Sequence, residues 1–221
     1  MDTTNFGHYY FIITMLSILV IFSKYGYDLL LIRFIPKYLA HNNLNELKGI
    51  LIHTNTRSIK NSIFLVLIFM LFIFLLNQII PVKNISFYFI GILLLPILTF
   101  LQINQAKLNG FGRIMHSQLP ERIILPVSII MFVFIFTEIF EYKLMTENIL
   151  FIHLFALVIT FLVSRIFLSP VLKNFTNISA SNSQFNDWES ISLQLIIIAT
   201  GAMILTNIDV LMIGLILDKE L

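Results

Sequence analysis

Phe64-Leu65-Val66-Leu67-Ile68-Phe69-Met70-Leu71-Phe72 is an unbroken apolar run. It lies inside a gap of 22 uncharged residues between Lys60 and Lys83. A transmembrane helix needs about 20 mostly apolar residues, so this stretch is long enough to span a bilayer. It does not alternate apolar with polar residues, as a barrel strand would. Its Phe and Ile content favours strands in water. In lipid every backbone group must be paired within the segment, and that selects the helix.

The same spacing recurs along the chain. Asp2 to Lys24 leaves 21 uncharged residues, Lys83 to Lys107 leaves 23, and Glu189 to Asp209 leaves 19. The gaps Arg122–Glu138 and Glu147–Arg165 are shorter, at 15 and 17 residues. Their flanking charges can reach the interface by snorkelling. Six spans are expected, near residues 8–28, 62–81, 86–105, 121–140, 148–168 and 191–216. The fold class is therefore an all-α, polytopic membrane helix bundle.

The composition of the 221 residues agrees. Hydrophobic residues make up 58% and charged residues 12%, about half the share usual for a soluble globule. Disorder is excluded by the same balance. With no cysteine there is no disulfide, thiolate metal site or cysteine nucleophile. A net charge of +2 argues against nucleic acid as a partner. Soluble-enzyme motifs are absent. None of the five histidines is paired at metal-ligand spacing, and only His153 lies well inside a span. No catalytic residue, metal or cofactor is expected.

The basic residues orient the chain. The linkers after spans one, three and five carry 11 of them, against 3 on the opposite side. The positive-inside rule places the 11 in the cytoplasm and both termini outside. An external start without a basic flank suggests that a preceding helix belongs to the protein, so the chain is expected to be a fragment of a longer transporter-like molecule. Within the first linker, Leu44, Leu47, Ile50 and Leu51 fall on one helical face, after Asn42 and Asn43 as candidate N-caps. This helix is expected along the inner membrane surface. The Asn/Ser-rich stretch 169–190, with Trp188, is the best candidate for a boundary between two bundles.

Several polar groups stand out. Lys24 and Asp28 are four residues apart and share a helix face. At 1.5 Å per residue, Asp28 falls about 30 Å below His8, at the inner interface. The pair is either a boundary ion pair or a polar lining at the inner mouth of a cavity. Arg33, little more than a turn beyond, is placed to meet lipid phosphates or an anionic substrate. Span six carries a small and polar stripe of Ser192, Ala199, Thr200, Thr206, Asn207 and Gly214, with Met203 on the same line. Such residues allow close helix approach, and Asn hydrogen-bonds across an interface. Asp209 points away from the stripe. Pro81, Pro96 and Pro126 permit kinks.

Three segments together carry a resemblance. The first is Phe6-Gly7-His8-Tyr9-Tyr10, followed by Gly26-Tyr27-Asp28-Leu29-Leu30-Leu31-Ile32-Arg33-Phe34. The second is Leu108-Asn109-Gly110-Phe111-Gly112-Arg113 with Gln118-Leu119-Pro120-Glu121-Arg122-Ile123-Ile124-Leu125-Pro126. The third is Asp187-Trp188-Glu189-Ser190 with Thr206-Asn207-Ile208-Asp209-Val210-Leu211-Met212-Ile213-Gly214. In this order they resemble the Wzx-like polysaccharide-biosynthesis flippases of the multidrug/oligosaccharidyl-lipid/polysaccharide exporter superfamily. The six spans resemble helices two to seven of that family, most of one lobe of a MATE-like transporter and the start of the next.

The resemblance implies residues 1–168 as a five-helix part of the N-terminal lobe. It implies 169–190 as a cytoplasmic inter-lobe linker and 191–221 as the first helix of a second lobe. It implies residence in the bacterial inner membrane and a lipid-linked oligosaccharide on an undecaprenyl-type carrier as cargo. Membrane lipids and polysaccharide-assembly proteins are the other implied partners. The segments place Lys24, Asp28, Arg33, Arg113, Arg122, Asn207 and Asp209 as candidate substrate-binding residues. Gly110 and Gly112 read as a tight turn and Pro120 as a helix start.

Alternatives of other classes remain open. A multidrug exporter would titrate Asp28 or Asp209. A non-transporting remnant would carry no cargo. A membrane-embedded transferase would need clustered acids, and Glu138, Glu141 and Glu147 sit together only in a short turn.

Overall fold

The computed structural model describes residues 3–79, 85–139, 145–181 and 184–217, with the backbone alone given for residues 3–5, 85, 139, 204 and 206–217. The described residues are helical with no strand. Helix α1 (Thr3–Lys24) is followed by the short α2 (Tyr27–Ala40) and the long α3 (Leu44–Ile79). Helix α4 (Ile85–Gly110) leads to α5 (Ile114–Leu119), which runs through a π-helical turn (Pro120–Ile124) into α6 (Leu125–Phe134) and a second π-turn (Ile135–Ile139). Helices α7 (Thr146–Lys173) and α8 (Phe185–Leu217) complete the chain.

Five stretches are long and apolar enough to cross a membrane: Phe6–Lys24, Leu44–Ile79, Ser86–Gly110, Ile114–Glu138 and Thr146–Lys173. They match the first five expected spans. The sixth, 191–216, falls within α8, whose side chains at 204 and from 206 onward lie outside the described residues. Pro81 also lies outside them.

The first span is shorter than expected. Helix α1 stops at Lys24 because Tyr25 (φ 54°) and Gly26 (φ 77°) both take left-handed backbone. Glycine accepts that conformation freely, and an aromatic residue does not. The turn sends α2 off as a separate helix, and its Tyr27, Leu30, Leu31, Phe34, Ile35 and Tyr38 are buried. Asn42, expected to start a helix, instead ends α2. It is left-handed (φ 56°), with Asn43 N–H bonded to the Tyr38 carbonyl and Asn42 N–H to that of Leu39. This is the Schellman closure, in which Asn is second only to Gly.

Helix α3 then begins at Leu44 and runs without a break into the second span. The expected face does exist, since Leu47, Ile50 and Leu51 are buried. It packs inward on a continuous helix rather than lying on the membrane surface.

Gly112 (φ 73°) closes α4 in the same way, with Arg113 N–H on the Leu108 carbonyl at 2.8 Å. The expected tight turn is there at Gly112, whereas Gly110 ends α4 and lies against α2, where a Cβ would stand 2.9 Å from Ile35. Pro120, however, is not a helix start, because α5 already runs from Ile114 to Leu119. The π-turn places Leu125 N–H on the Pro120 carbonyl. Such a bulge just ahead of Pro126 eases the clash a proline ring makes with the turn before it.

Helix α4 is central and packs against α1, α2, α3 and α7. Two apolar clusters result. One joins Ile12, Leu16 and Val20 of α1 to Leu95 of α4 and Leu150 and Leu157 of α7. The other lies at the end carrying the basic linkers, where α2, Leu47 and Ile50 of α3, and Ile103 of α4 enclose Trp188 of α8.

Candidate functional site at the basic end of the bundle

The richest polar constellation forms where α2, α3 and the start of α8 meet. Tyr27 follows the left-handed turn directly, so its phenol is aimed across at α8. Its hydroxyl donates to both carboxylate oxygens of Glu189 at 3.0 Å. Arg57 Nε lies 3.0 Å and His53 Nε2 3.1 Å from Glu189 Oε1. His53 and Arg57 are four residues apart on α3 and therefore share a face.

One residue before Glu189, Trp188 Nε1 donates to Tyr38 Oη at 2.8 Å, and that hydroxyl donates at 2.6 Å to Oε1 of Gln184, just ahead of α8. The His53 ring meets Phe185 edge-on with centroids 4.5 Å apart, and the Arg57 guanidinium lies 5.2 Å from the Phe185 centroid. The Tyr27 and Arg57 bonds to the Glu189 carboxylate are charge-assisted, the stronger class of hydrogen bond. Burial raises the Tyr27 phenol above its ordinary value, and the Glu189 charge adds to the shift. Tyr27 therefore stays a donor at neutral pH. Tyr38 is also raised, first by burial.

Two close approaches hold α8 and its preceding turn against this hub. A Cβ on Gly26 would stand 2.5 Å from the Ser192 carbonyl oxygen. Ser192 Oγ donates to the Tyr25 carbonyl. A Cβ on Gly49 would overlap the Ser181 carbonyl and come within 3.1 Å of the Trp188 ring. Beside the hub, Ile52, His53, Thr56, Arg57, Lys60 and Phe185 line a cleft of about 340 Å³.

The residues expected from the sequence do not converge on one site. Lys24 Nζ and Asp28 Oδ2 are 2.6 Å apart, so these two do meet. They meet across the Tyr25–Gly26 turn, not along one helix as expected. Arg33, Arg113 and Arg122 are exposed and form no ion pair among the described residues. Asn207 and Asp209 have side chains outside the described residues. The described part of the α8 stripe keeps its polarity, with Ser192 buried and Ala199, Thr200 and Met203 half-buried. Leu193, Ile197, Ile198 and Leu205 face outward. His153 pairs with Tyr9, its Nδ1 2.7 Å from the hydroxyl, and so serves packing. Glu147 accepts from Ser86 Oγ at 2.6 Å, while Glu141 lies outside the described residues. Among the described residues no group of three His, Asp or Glu side chains is placed to hold a metal.

Sequence reasoning passed over the groups that do converge. Tyr27, His53, Arg57 and Glu189 come from three helices separated by up to 162 positions. Tyr27 and Glu189 carried a signal only as members of the resemblance segments Gly26-Tyr27-Asp28 and Asp187-Trp188-Glu189, and His53 and Arg57 carried none. Lys107 was a topology marker in the sequence. In the structure it is fully buried.

Comparison with known proteins gives a family and little beyond it. The family model described as polysaccharide biosynthesis protein matches residues 1–220. An uncharacterized membrane protein of Methanocaldococcus jannaschii is 49% identical over 43 residues, covering 20% of this chain and 8% of that protein. This chain therefore aligns with only a small part of that relative. No solved structure matches the chain.

Proposed function

The chain belongs to the polysaccharide biosynthesis protein family, and on that premise we propose that it is a flippase, or part of one, for lipid-linked oligosaccharide repeat units. The observation that carries the proposal is the family match across residues 1–220 of a chain built as a polytopic helix bundle. The cargo rides on an undecaprenyl-type carrier, and the membrane is the bacterial inner membrane. The basic linkers face the cytoplasm and both ends of this chain face outside, in keeping with the charge count.

Transport proceeds by alternating access, with no covalent step. Residues 1–168 form part of one lobe, 169–190 link the lobes, and α8 begins the second. The tie from Tyr27, His53 and Arg57 to Glu189 is then a bond between lobe one and the first helix of lobe two. It has to loosen or re-form as the lobes rock. A proton- or drug-coupled cycle would instead rest on a titrating carboxylate: Asp28 has its Oδ2 held by Lys24 and its Oδ1 without a partner, and the Asp209 side chain lies outside the described residues.

The test is reconstitution of the full-length protein in vesicles containing a fluorescent undecaprenyl-pyrophosphate oligosaccharide. Protein-dependent transfer of the label between leaflets is expected, and Glu189→Ala should alter its rate. Efflux of a cationic dye with no movement of the sugar lipid would replace the flippase by a multidrug exporter.

A further inference from the structure

A second basic cleft lies between α3 and the basic ends of α4 and α7. Its lining includes Lys48, Leu51, Asn55, Lys107, Leu172 and Phe175, and its volume is about 270 Å³. None of its lining residues belongs to α1, α2 or α8, and it shares only Ile52 with the cleft beside the Glu189 hub. It also differs in charge. In the cleft beside the hub, Arg57 already faces the Glu189 carboxylate. No carboxylate lines the second cleft.

Its two ammonium groups have neutral partners. Lys107 Nζ donates to Asn55 Oδ1 at 2.6 Å and to the Leu51 carbonyl at 3.4 Å. Lys48 Nζ donates to the carbonyls of Thr176 at 2.7 Å and Ile178 at 2.6 Å. An ammonium has three donor positions, so each keeps one. Lys107 is fully buried, and a buried ammonium without an anion is strongly disfavoured. Arg165 on α7 is near enough to act on Lys107 electrostatically and adds a like charge.

One turn further into the bundle, Ser58 Oγ and Asn104 Nδ2 are buried with no partner from the protein. Ser164 Oγ on α7 is in the same state. The unmet capacity lining the cleft is thus the remaining donor position of each ammonium group. Half-exposed apolar walls, Leu172 and Phe175, stand beside it. Lys107 is three residues from the end of α4, and Leu172 is one residue from the end of α7. Lipid phosphates lie at that level of a span.

We propose that this cleft binds a phosphate oxyanion, with Lys48 and Lys107 as its charge partners and Asn55 beside them. The site is independent of the transported cargo. Its occupant is either the phosphodiester of an anionic membrane lipid or phosphate from solution.

The experiment uses the full-length protein in mixed phosphatidylglycerol–phosphatidylcholine nanodiscs, extracted for native mass spectrometry. Retained phosphatidylglycerol is compared among wild type, Lys48→Gln, Lys107→Gln and Lys60→Gln. Each lysine of the cleft should be worth about fivefold in retention, while Lys60→Gln, beside the hub, leaves it unchanged. Lys48 is half-exposed, so its variant keeps the test alive if Lys107→Gln does not fold. In a second arm, thermal unfolding in detergent is followed with sodium phosphate against sodium chloride at equal ionic strength. Stabilisation by phosphate that disappears in Lys48→Gln identifies the soluble ion as the occupant. Retention that disappears without any phosphate effect identifies the lipid. Two results overturn the proposal. One is equal retention in wild type and Lys48→Gln with no phosphate stabilisation. The other is an equal loss in Lys60→Gln.

Discussion

The two halves of α3 belong to one helix and live in different solvents. Residues 44–62 bury Leu47, Gly49, Ile50, Leu51, His53, Thr54, Ser58 and Ser62. Residues 63–79 bury only Ile73. The more polar half is therefore the more deeply packed one, and the apolar half turns one face outward while Leu65, Val66, Phe69 and Met70 are partly buried against the cluster of α1, α4 and α7. Phe64, Leu67, Leu71 and Phe72 are each more than half exposed. In water this would be an aggregation surface. In a bilayer the lipid tails are as apolar as leucine, and no hydrophobic force drives such residues inward. Specific structure is concentrated instead where polar groups and aromatics must find partners, at the basic end. Exposure to lipid and importance to the fold run in opposite directions along this helix.

The largest effect that would break or sharpen this contrast is expected at Trp188. It is fully buried between α2 and α3 and donates to Tyr38. Trp188→Ala should cost about 3–5 kcal/mol, as large-to-small changes in packed cores do. The measurement is a thermal melt by circular dichroism in nanodiscs. A shift no larger than that of an outward-facing substitution would show that the basic end is not the packed region.

A smaller effect follows from Tyr27. Its phenol is raised by burial and by Glu189, so the folded protein holds this proton more tightly than the unfolded chain does. A group raised in this way adds stability that is complete below the ordinary phenol value of 10.0 and is lost as pH climbs above it. Unfolding followed by the fluorescence of Trp188, the single tryptophan, should show stability falling above that pH. Tyr27→Phe should flatten the fall and cost about 1.5–3 kcal/mol at neutral pH, the range for a bond to a charged acceptor. An unchanged alkaline slope in Tyr27→Phe would remove Tyr27 as its source.

How far the sequence reveals this molecule depends on the range of each interaction. The spans are legible because lipid imposes one rule on each continuous stretch, apolar residues over a helix of bilayer length. The Gly112 turn is legible because it is local. The break at Tyr25–Gly26 is not, since a tyrosine in left-handed backbone is held there by the distant Ser192. Asn42 misleads because Asn suits both the start and the end of a helix, and its neighbours on α2 decide. The hub around Glu189 is invisible for the same reason as the Ser192 contact. Its members have ordinary spacing and meet only when α8 returns to α3. Lys24 and Asp28 are the exception among the candidate residues, because four positions suffice to bring them together.

The smallest effect is expected in the apolar half of α3. Leu67 is 61% exposed and Leu71 is 59% exposed, on a face that meets no other helix closely. Truncation there leaves no cavity, because lipid tails move in to fill the space. Leu67→Ala and Leu71→Ala should each change stability by less than about 0.5 kcal/mol, in the range of surface substitutions. The same melt that reads Trp188→Ala reads these. A loss of several kcal/mol at Leu67 would mean that the outward face is covered by protein and not by lipid. In that case the polarity of the two halves of α3, and not their solvent, would have to be explained again.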